Sequence, residues 1–224
     1  MKILVTGASS GIGFELVKQL CADHHDVFAT GRNKNKLTEL HQLTGCKFAS
    51  YDLTESQQVM DMFKQATEEL GGLDVLINNA GMNTRKCAID EFSLEEFEQQ
   101  YAINLRAPAI LCREALSLMK EQKSGYIINV TSTVAKRASE TMAVYTTMKQ
   151  GLAGFTGVLM KEAQPHGIKV TNLFPGGTDT NFRAASRPEY MHPESVARTI
   201  LGLLKLPEDV VVHEMVFRPL VELE

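Results

Sequence analysis

Short unbroken apolar runs recur along this chain between longer segments whose apolar positions return every three or four residues, the spacing of strands buried on both faces alternating with helices. Ile3-Leu-Val5 is the first such run, and Phe14-Glu-Leu-Val-Lys-Gln-Leu20 the first helical segment. Asp26-Val-Phe-Ala-Thr30 follows as a strand, Lys34 to Leu43 as a short helix, and Lys47-Phe-Ala-Ser-Tyr51 as the next strand. Thr54-Glu-Ser-Gln57 has the capping-box pattern that opens a helix, here running to about Leu70, and Leu73-Asp-Val-Leu-Ile77 returns as a strand. Ser93-Leu-Glu-Glu96 is a second capping box, and the long helix it predicts carries Phe97, Tyr101 and Leu105 on one side. Strands at Tyr126 to Val130 and Lys169 to Leu173 flank another long helix. A helix after Pro193 and a strand at Val210 to Val216 complete an expected seven strands. Strands separated by helices make right-handed βαβ crossovers, so the pattern predicts an α/β fold with a doubly wound parallel sheet. Nothing in the pattern marks an internal repeat, a linker or a low-complexity run.

The junction between the first strand and first helix is the most informative point. Glycines stand there at Gly7, Gly11 and Gly13. Backbone without Cβ atoms can approach a pyrophosphate, and the unpaired N–H groups of a helix N-terminus stabilise its charge. The spacing Gly-x-x-x-Gly-x-Gly differs from the Gly-x-Gly-x-x-Gly fingerprint, and no Gly-Lys-Ser/Thr follows as an NTPase loop requires. Taken alone, it fits either a nucleotide diphosphate site or a turn that lets a strand pack on a helix.

Composition narrows the classes. With 224 residues, 44% of them hydrophobic, the chain fits one α/β domain, taken as residues 1–222. Leu223 and Glu224 read as a cloning remnant and carry no argument. A net charge of -4 and a pI near 5.9 offer no footprint for nucleic acid or an anionic membrane. No export signal fits before a strand that begins at residue 2, and no apolar run approaches a membrane span, so a soluble cytoplasmic protein is expected. Cys21, Cys46, Cys87 and Cys112 form no Cys-x-x-Cys pair and the six histidines no ligand spacing; reduced thiols and no metal are expected.

Three further stretches bear chemistry. Asn78-Asn-Ala-Gly81 directly follows the predicted fourth strand, where ligands bind in open α/β sheets, although Asn and Gly also suit a plain turn. Tyr145-Thr-Thr-Met-Lys149 places a phenol and an ammonium on one helix face, which favours phenolate, or else forms an ordinary surface pair. Asn129-Val-Thr-Ser132 ends an apolar strand and brings a hydroxyl to the same sheet edge.

With these on the page, the chain resembles the short-chain dehydrogenase/reductase family over essentially its whole length. The matching motifs are Thr6-Gly-Ala-Ser-Ser-Gly-Ile-Gly13, Asp52-Leu53, Asn78-Asn-Ala-Gly81, Asn104, Ser132, Tyr145 with Lys149, and Pro175-Gly176. The resemblance implies a Rossmann-type domain in which Tyr145 exchanges a proton with a carbonyl or alcohol oxygen while hydride moves to or from a nicotinamide. Ser132 would orient that oxygen, Lys149 would bind the nicotinamide ribose and lower the Tyr145 pKa, and Asn104 would hold a water linking Lys149 to solvent. Thr131 stands where many relatives have a second serine and Thr133 follows, so a neighbouring hydroxyl could partly substitute for Ser132. Cofactor contacts are implied for Gly7, Ser9, Ser10, Gly11, Ile12, Gly13, Asp52, Leu53, Asn79, Ala80 and Gly81. Tyr145, Lys149, Pro175, Gly176, Thr178 and Thr180 complete the implied set.

Relatives that use NAD carry an acidic residue at the end of the second strand; here Gly31 stands there, followed by Arg32. A guanidinium pairs with the extra phosphate of NADP and stacks on adenine, so NADP(H) is expected over NAD(H), with Lys34 and Lys36 adding positive field. Residues 178–192 are shorter than the substrate lid of many relatives and suggest a more open site, with Phe182, Tyr190, Met191, Met82 and Met142 as pocket candidates. A small carbonyl or alcohol substrate and a homodimer or homotetramer are implied. A catalytically silent dinucleotide sensor or scaffold of the same fold is the alternative, and retention of all four catalytic positions argues against it.

Overall fold

The computed structural model describes residues 1–180, 182 and 186–222. Leu223 and Glu224 lie outside the described residues, as do Asn181 and Arg183 to Ala185 of the 178–192 loop. Seven strands form one parallel sheet: β1 (Lys2–Thr6), β2 (Asp26–Gly31), β3 (Lys47–Ser50), β4 (Val75–Asn78), β5 (Gly125–Val130), β6 (Ile168–Pro175) and β7 (Glu214–Phe217). Their spatial order is β3-β2-β1-β4-β5-β6-β7. The order reverses between β1 and β4, and ligands bind in the crevice outside the carboxyl ends at such a switch point.

Among the described residues, seven α-helices cover the sheet: α1 (Gly11–Ala22), α2 (Lys34–Thr44), α3 (Ser56–Leu70), α4 (Leu94–Tyr101), α5 (Ala107–Gln122), α6 (Ala143–Ala163) and α7 (Pro193–Leu203). Strand side chains alternate between faces, so neighbours in an apolar run feed two cores. Ile3 and Val5 meet Leu16, Leu20, Leu40 and Ile200 from α1, α2 and α7. Leu4 faces the other way, toward Met62, Leu111, Met119 and Leu159 from α3, α5 and α6. Each such fully buried aliphatic side chain contributes about 1.5–3 kcal/mol, which is why these strands carry no alternating polar residues. No helix among the described residues is long and apolar enough to cross a membrane.

Four local expectations are corrected. The Ser93 capping box forms, with Ser93 Oγ accepting from Glu96 N–H and Glu96 from Ser93 N–H, both at 3.1 Å. The Thr54 box does not: Thr54 Oγ1 donates to Asp52 Oδ1 at 2.9 Å, and α3 starts at Ser56 after an N-cap Glu55 that makes no side-chain bond. The long helix after Ser93 is broken between α4 and α5 by a π-turn, Ala102–Arg106. Asn78 and Pro175 are the last residues of β4 and β6, not the first beyond them. At the far edge β7 starts only at Glu214, because the preceding carbonyls of Pro207 and Val210 are taken by Lys169 Nζ at 3.3 and 2.9 Å.

Candidate active site

The glycine loop is built against the end of β4. Thr6 Oγ1 accepts from the N–H groups of Asn79 and Ala80 at 3.1 and 3.0 Å, and Asn79 Nδ2 returns to the carbonyls of Thr6 and Gly7 at 3.0 and 3.4 Å. That mutual clamp leaves no room for Cβ atoms. Gly7 has φ +69°, and a Cβ there would lie 2.8 Å from Ala80 Cα; at Gly13 it would overlap the Gly7 carbonyl oxygen and sit 2.6 Å from Asn79 Nδ2. Gly11 (φ +54°) lies under the Thr180 methyl, 3.1 Å from where its Cβ would be. Ser10 caps α1 without a side-chain bond and no acidic residue stands in the first turn, so the first-turn N–H groups remain available to an anion. The cradle fits a pyrophosphate. Gly13→Ala is therefore expected to destabilise the fold by about 1–3 kcal/mol and, where the cradle holds a diphosphate, to weaken binding of a nucleotide diphosphate at least about tenfold. Urea unfolding and fluorescence titration read the two effects, and unchanged affinity would show that this loop does not hold the diphosphate.

Further along the same edge, Arg32 follows buried Gly31 and is exposed, as is Lys34. Ser9 Oγ lies 2.8 Å from where a Gly31 Cβ would be, so the glycine loop and the end of β2 touch. Lys36 is paired with Glu39 at 2.7 Å and contributes little free charge. Asp52 Oδ1 accepts from both the N–H and the hydroxyl of Thr54, at 3.0 and 2.9 Å, and Leu53 is buried. This turn is tied to the π-turn by Arg106, which donates to the Thr54 carbonyl.

The second half of the site stands beside β5. Ser132 begins a single 3-10 turn, its Oγ accepting from Val134 N–H at 3.3 Å. Two residues earlier, the Val130 carbonyl accepts from Lys149 Nζ at 3.1 Å. Lys149 is 2% exposed, and burial pushes its ammonium down to about 8. Tyr145 lies one turn before it on α6, with Lys149 Nζ 5.8 Å from the phenol ring centroid. The Tyr145 ring is itself buried and packs on Phe182 at 5.8 Å between centroids. Asn104 sits fully buried in the π-turn, bracketing Met82: Oδ1 accepts its N–H at 3.1 Å and Nδ2 donates to its carbonyl at 2.8 Å. A Cβ on Gly81 would come within 3.2 Å of Asn104 Oδ1 and 3.5 Å of Lys149 Nζ, so all three converge. π-turns recur at functional sites, and this one delivers the Asn104 amide to the loop.

The chain matches the short chain dehydrogenase family model over residues 1–191. It belongs to the short-chain dehydrogenase family. An uncharacterised oxidoreductase of Staphylococcus aureus is 32% identical over 222 residues, 96% of each chain. An alcohol dehydrogenase of the archaeon Thermococcus sibiricus, complexed with 5-hydroxy-NADP, shares 26% identity at TM-score 0.88, covering 98% of this chain and 97% of that one. A metagenomic short-chain oxidoreductase in complex with NADP matches at 26% identity and TM-score 0.88, over 99% and 98%. The protein is thus an oxidoreductase of this type.

Several residues of this short-chain dehydrogenase were not anticipated from spacing. Asn78, Asn129 and Asn172 lie in register across β4, β5 and β6. Asn78 Nδ2 donates to Asn129 Oδ1 at 2.8 Å, and Asn129 Nδ2 to Thr156 Oγ1 at 2.9 Å. The only signal was an asparagine at equal depth in three largely apolar strands. Thr131 is drawn into the same layer, its hydroxyl donating to Asn172 Oδ1, so it is turned away from the role of a second serine. Cys112 lies in contact with both Asn78 and Asn129, and burial pushes its thiol up to about 12. Near Gly176, Glu222 accepts from Gly177 N–H at 2.9 Å and faces Arg137 at 3.5 Å, folding the end of the chain back onto the loop after β6. In that loop Thr178 bridges to Met191, and Met191 packs into the core, whereas Phe182 and Met142 stay near Tyr145. Among the described residues no three His, Cys, Asp or Glu side chains cluster as a metal site.

Proposed function

We propose that this short-chain dehydrogenase transfers a hydride between NADP(H) and a small carbonyl or alcohol substrate, with Tyr145 as general acid or base. The observation that carries the reading is the buried Lys149 ammonium, 5.8 Å from the centroid of the Tyr145 ring and donating to the Val130 carbonyl two residues before Ser132. The nicotinamide, when bound, supplies the hydride. Tyr145 Oη gives its proton to the carbonyl oxygen in reduction and takes it back in oxidation, while Ser132 Oγ hydrogen-bonds that oxygen as negative charge develops. Lys149 stabilises the phenolate that Tyr145 leaves and holds the nicotinamide ribose. Asn104, by fixing Met82 and lying against Gly81 and Lys149, holds the floor on which a water can relay protons to Lys149.

At the other end, Gly7 to Gly13 hold the pyrophosphate with Thr180 above Gly11, Pro175, Gly176 and Thr178 border the nicotinamide, and Asp52, Leu53, Asn79 and Ala80 shape the adenosine side. Arg32 selects NADP. It is exposed at the end of β2 with no carboxylate in its place, and two solved relatives carry NADP-type ligands. A bidentate guanidinium–phosphate pair is a charge-assisted interaction, so Arg32→Ala weakens NADPH binding by about tenfold or more and leaves NADH binding within about twofold. Parallel titrations decide this; equal affinities in the unmutated protein would remove the claim. Assembly into a homodimer or homotetramer through α5 and α6 belongs to the same reading and is checked by light scattering.

A further inference from the structure

One carboxylate reaches the segments that follow two neighbouring strands of the sheet. After β7 the chain turns through residues 218–222, with Glu222 N–H donating to the Pro219 carbonyl at 3.0 Å, and returns to the end of β6. There Glu222 Oε2 accepts from Gly177 N–H at 2.9 Å, while Oε1 faces Arg137 Nη2 at 3.5 Å. The Glu222 side chain is 14% exposed and that of Arg137 31%, so solvent screens the pair less than it screens an open surface contact. Arg137 caps the 3-10 turn that Ser132 begins, its N–H donating to the Val134 carbonyl at 3.4 Å. Gly177 lies in the loop after β6, where its carbonyl accepts from Met191 N–H at 3.1 Å. The register between β5 and β6 runs to Val130 and Leu173, so the Ser132 turn and the Gly177 loop begin where that pairing stops. The fit at the carboxylate is close. A Cβ on Gly176 would overlap Glu222 Oε2 and lie 2.9 Å from Arg218 Cγ, which accounts for glycine at that position.

We infer that Glu222 is a positioning residue for the nicotinamide end of the site: its carboxylate fixes the loop after β6 against the turn that carries Ser132. The inference rests on the proposed function, which puts Ser132 at the substrate oxygen and Gly176 and Thr178 beside the nicotinamide. On that reading the two segments hold the two reactants, and a tie between them fixes the distance over which the hydride moves. Such geometry matters, since a misplacement of about 1 Å can cost about a hundredfold in rate. A carboxylate suits the task because its two oxygens accept from two donors at once, each through a charge-assisted contact. A role confined to anchoring the segment after β7 is the competing account.

The test titrates NADPH and phospho-ADP-ribose, the same dinucleotide without its nicotinamide, and follows single-turnover NADPH oxidation over a panel of ketones and aldehydes. In Glu222→Ala, NADPH binding weakens by about tenfold, phospho-ADP-ribose binding stays within about twofold, and hydride transfer slows by about tenfold or more. Glu222→Gln keeps an oxygen for Gly177 N–H and loses the charge facing Arg137. Its NADPH affinity returns to within about twofold of the unmutated value, while hydride transfer stays about fivefold slower. Glu222→Asp, which withdraws the carboxylate from both partners by one methylene, repeats the Ala pattern should the Ala variant fail to fold. A folded Ala or Asp variant that loses thermal stability but keeps NADPH affinity and transfer rate overturns the assignment, as does an equal loss of affinity for both ligands. A Gln variant with the unmutated transfer rate shows the Arg137 contact to be idle and overturns the bridge. If the unmutated protein binds neither ligand, the NADP reading itself fails and takes this inference with it. NADPH bound with no carbonyl reduced fails the carbonyl reading alone, and the binding comparison still decides the role of Glu222.

Discussion

Tyr145→Phe lowers kcat/KM for NADPH-dependent carbonyl reduction by about a thousandfold, within the range a positioned general acid supplies. The substitution removes one oxygen and keeps the ring, which is buried on α6 against Phe182 at 5.8 Å. Packing should therefore survive, and thermal unfolding should shift little. Affinity for NADPH should change by less than about threefold, because the proposed function assigns most of the binding to the glycine cradle and Arg32, away from the phenol. Ser132 remains to polarise the substrate oxygen, which accounts for residual turnover. Steady-state NADPH oxidation over a panel of ketones and aldehydes, with binding measured in parallel, separates the outcomes. A variant that keeps more than about a tenth of the activity would sink the proton-transfer role. A parallel collapse of NADPH binding would instead show that the phenol is needed to build the cofactor site.

The central strands were legible because each is buried on both faces and is mostly apolar, as Ile3, Leu4 and Val5 show by feeding two different cores, whereas the edge strand β7 alternates exposed and half-buried positions. Helix starts were legible only where no neighbour competed. Ser93 and Glu96 close their box, but Asp52 lies two residues before Thr54 and takes its hydroxyl, so the same pattern fails one loop earlier. The π-turn at Ala102–Arg106 left no trace in the pattern of apolar residues, since one widened turn shifts the helical phase too little to read by eye. Motif position proved more readable than motif role. Asn79 stands just beyond β4 at the carboxyl edge of the sheet, the edge expected of its tetrapeptide, and its side-chain amide bonds the carbonyls of Thr6 and Gly7. Long-range contacts without local pattern stayed hidden: Glu222 meets Gly177 across 45 residues, and Gln100 is a buried polar residue beside the apolar side marked by Phe97 and Tyr101.

Lys149→Met should raise the stability of the ligand-free protein at pH 7 while removing most of its activity. The lysine is 2% exposed, and burial lowers its pKa from the ordinary 10.5 to about 8. Below pH 8 it is charged in both states, and burial of the ammonium then costs on the order of 3 kcal/mol relative to a neutral group. Between the two values the unfolded chain binds more protons than the folded one, so this cost is relieved as pH rises. Methionine escapes the cost altogether but leaves the Val130 carbonyl without its 3.1 Å donor, which returns about 1 kcal/mol. The net expectation is a variant about 1–3 kcal/mol more stable at pH 7, with the advantage lost near pH 10 and turned into a small deficit by pH 10.5. Urea unfolding of both proteins across that range measures it. A Met variant less stable at pH 7, or a gap that does not close with pH, would mean that the ammonium is not the burden its burial implies. Turnover should fall by about a hundredfold or more, through the loss of the charge beside Tyr145. On the proposed function, the same buried ammonium that costs stability at neutral pH, held by the Val130 carbonyl beside the Tyr145 ring, is the charge that favours the phenolate.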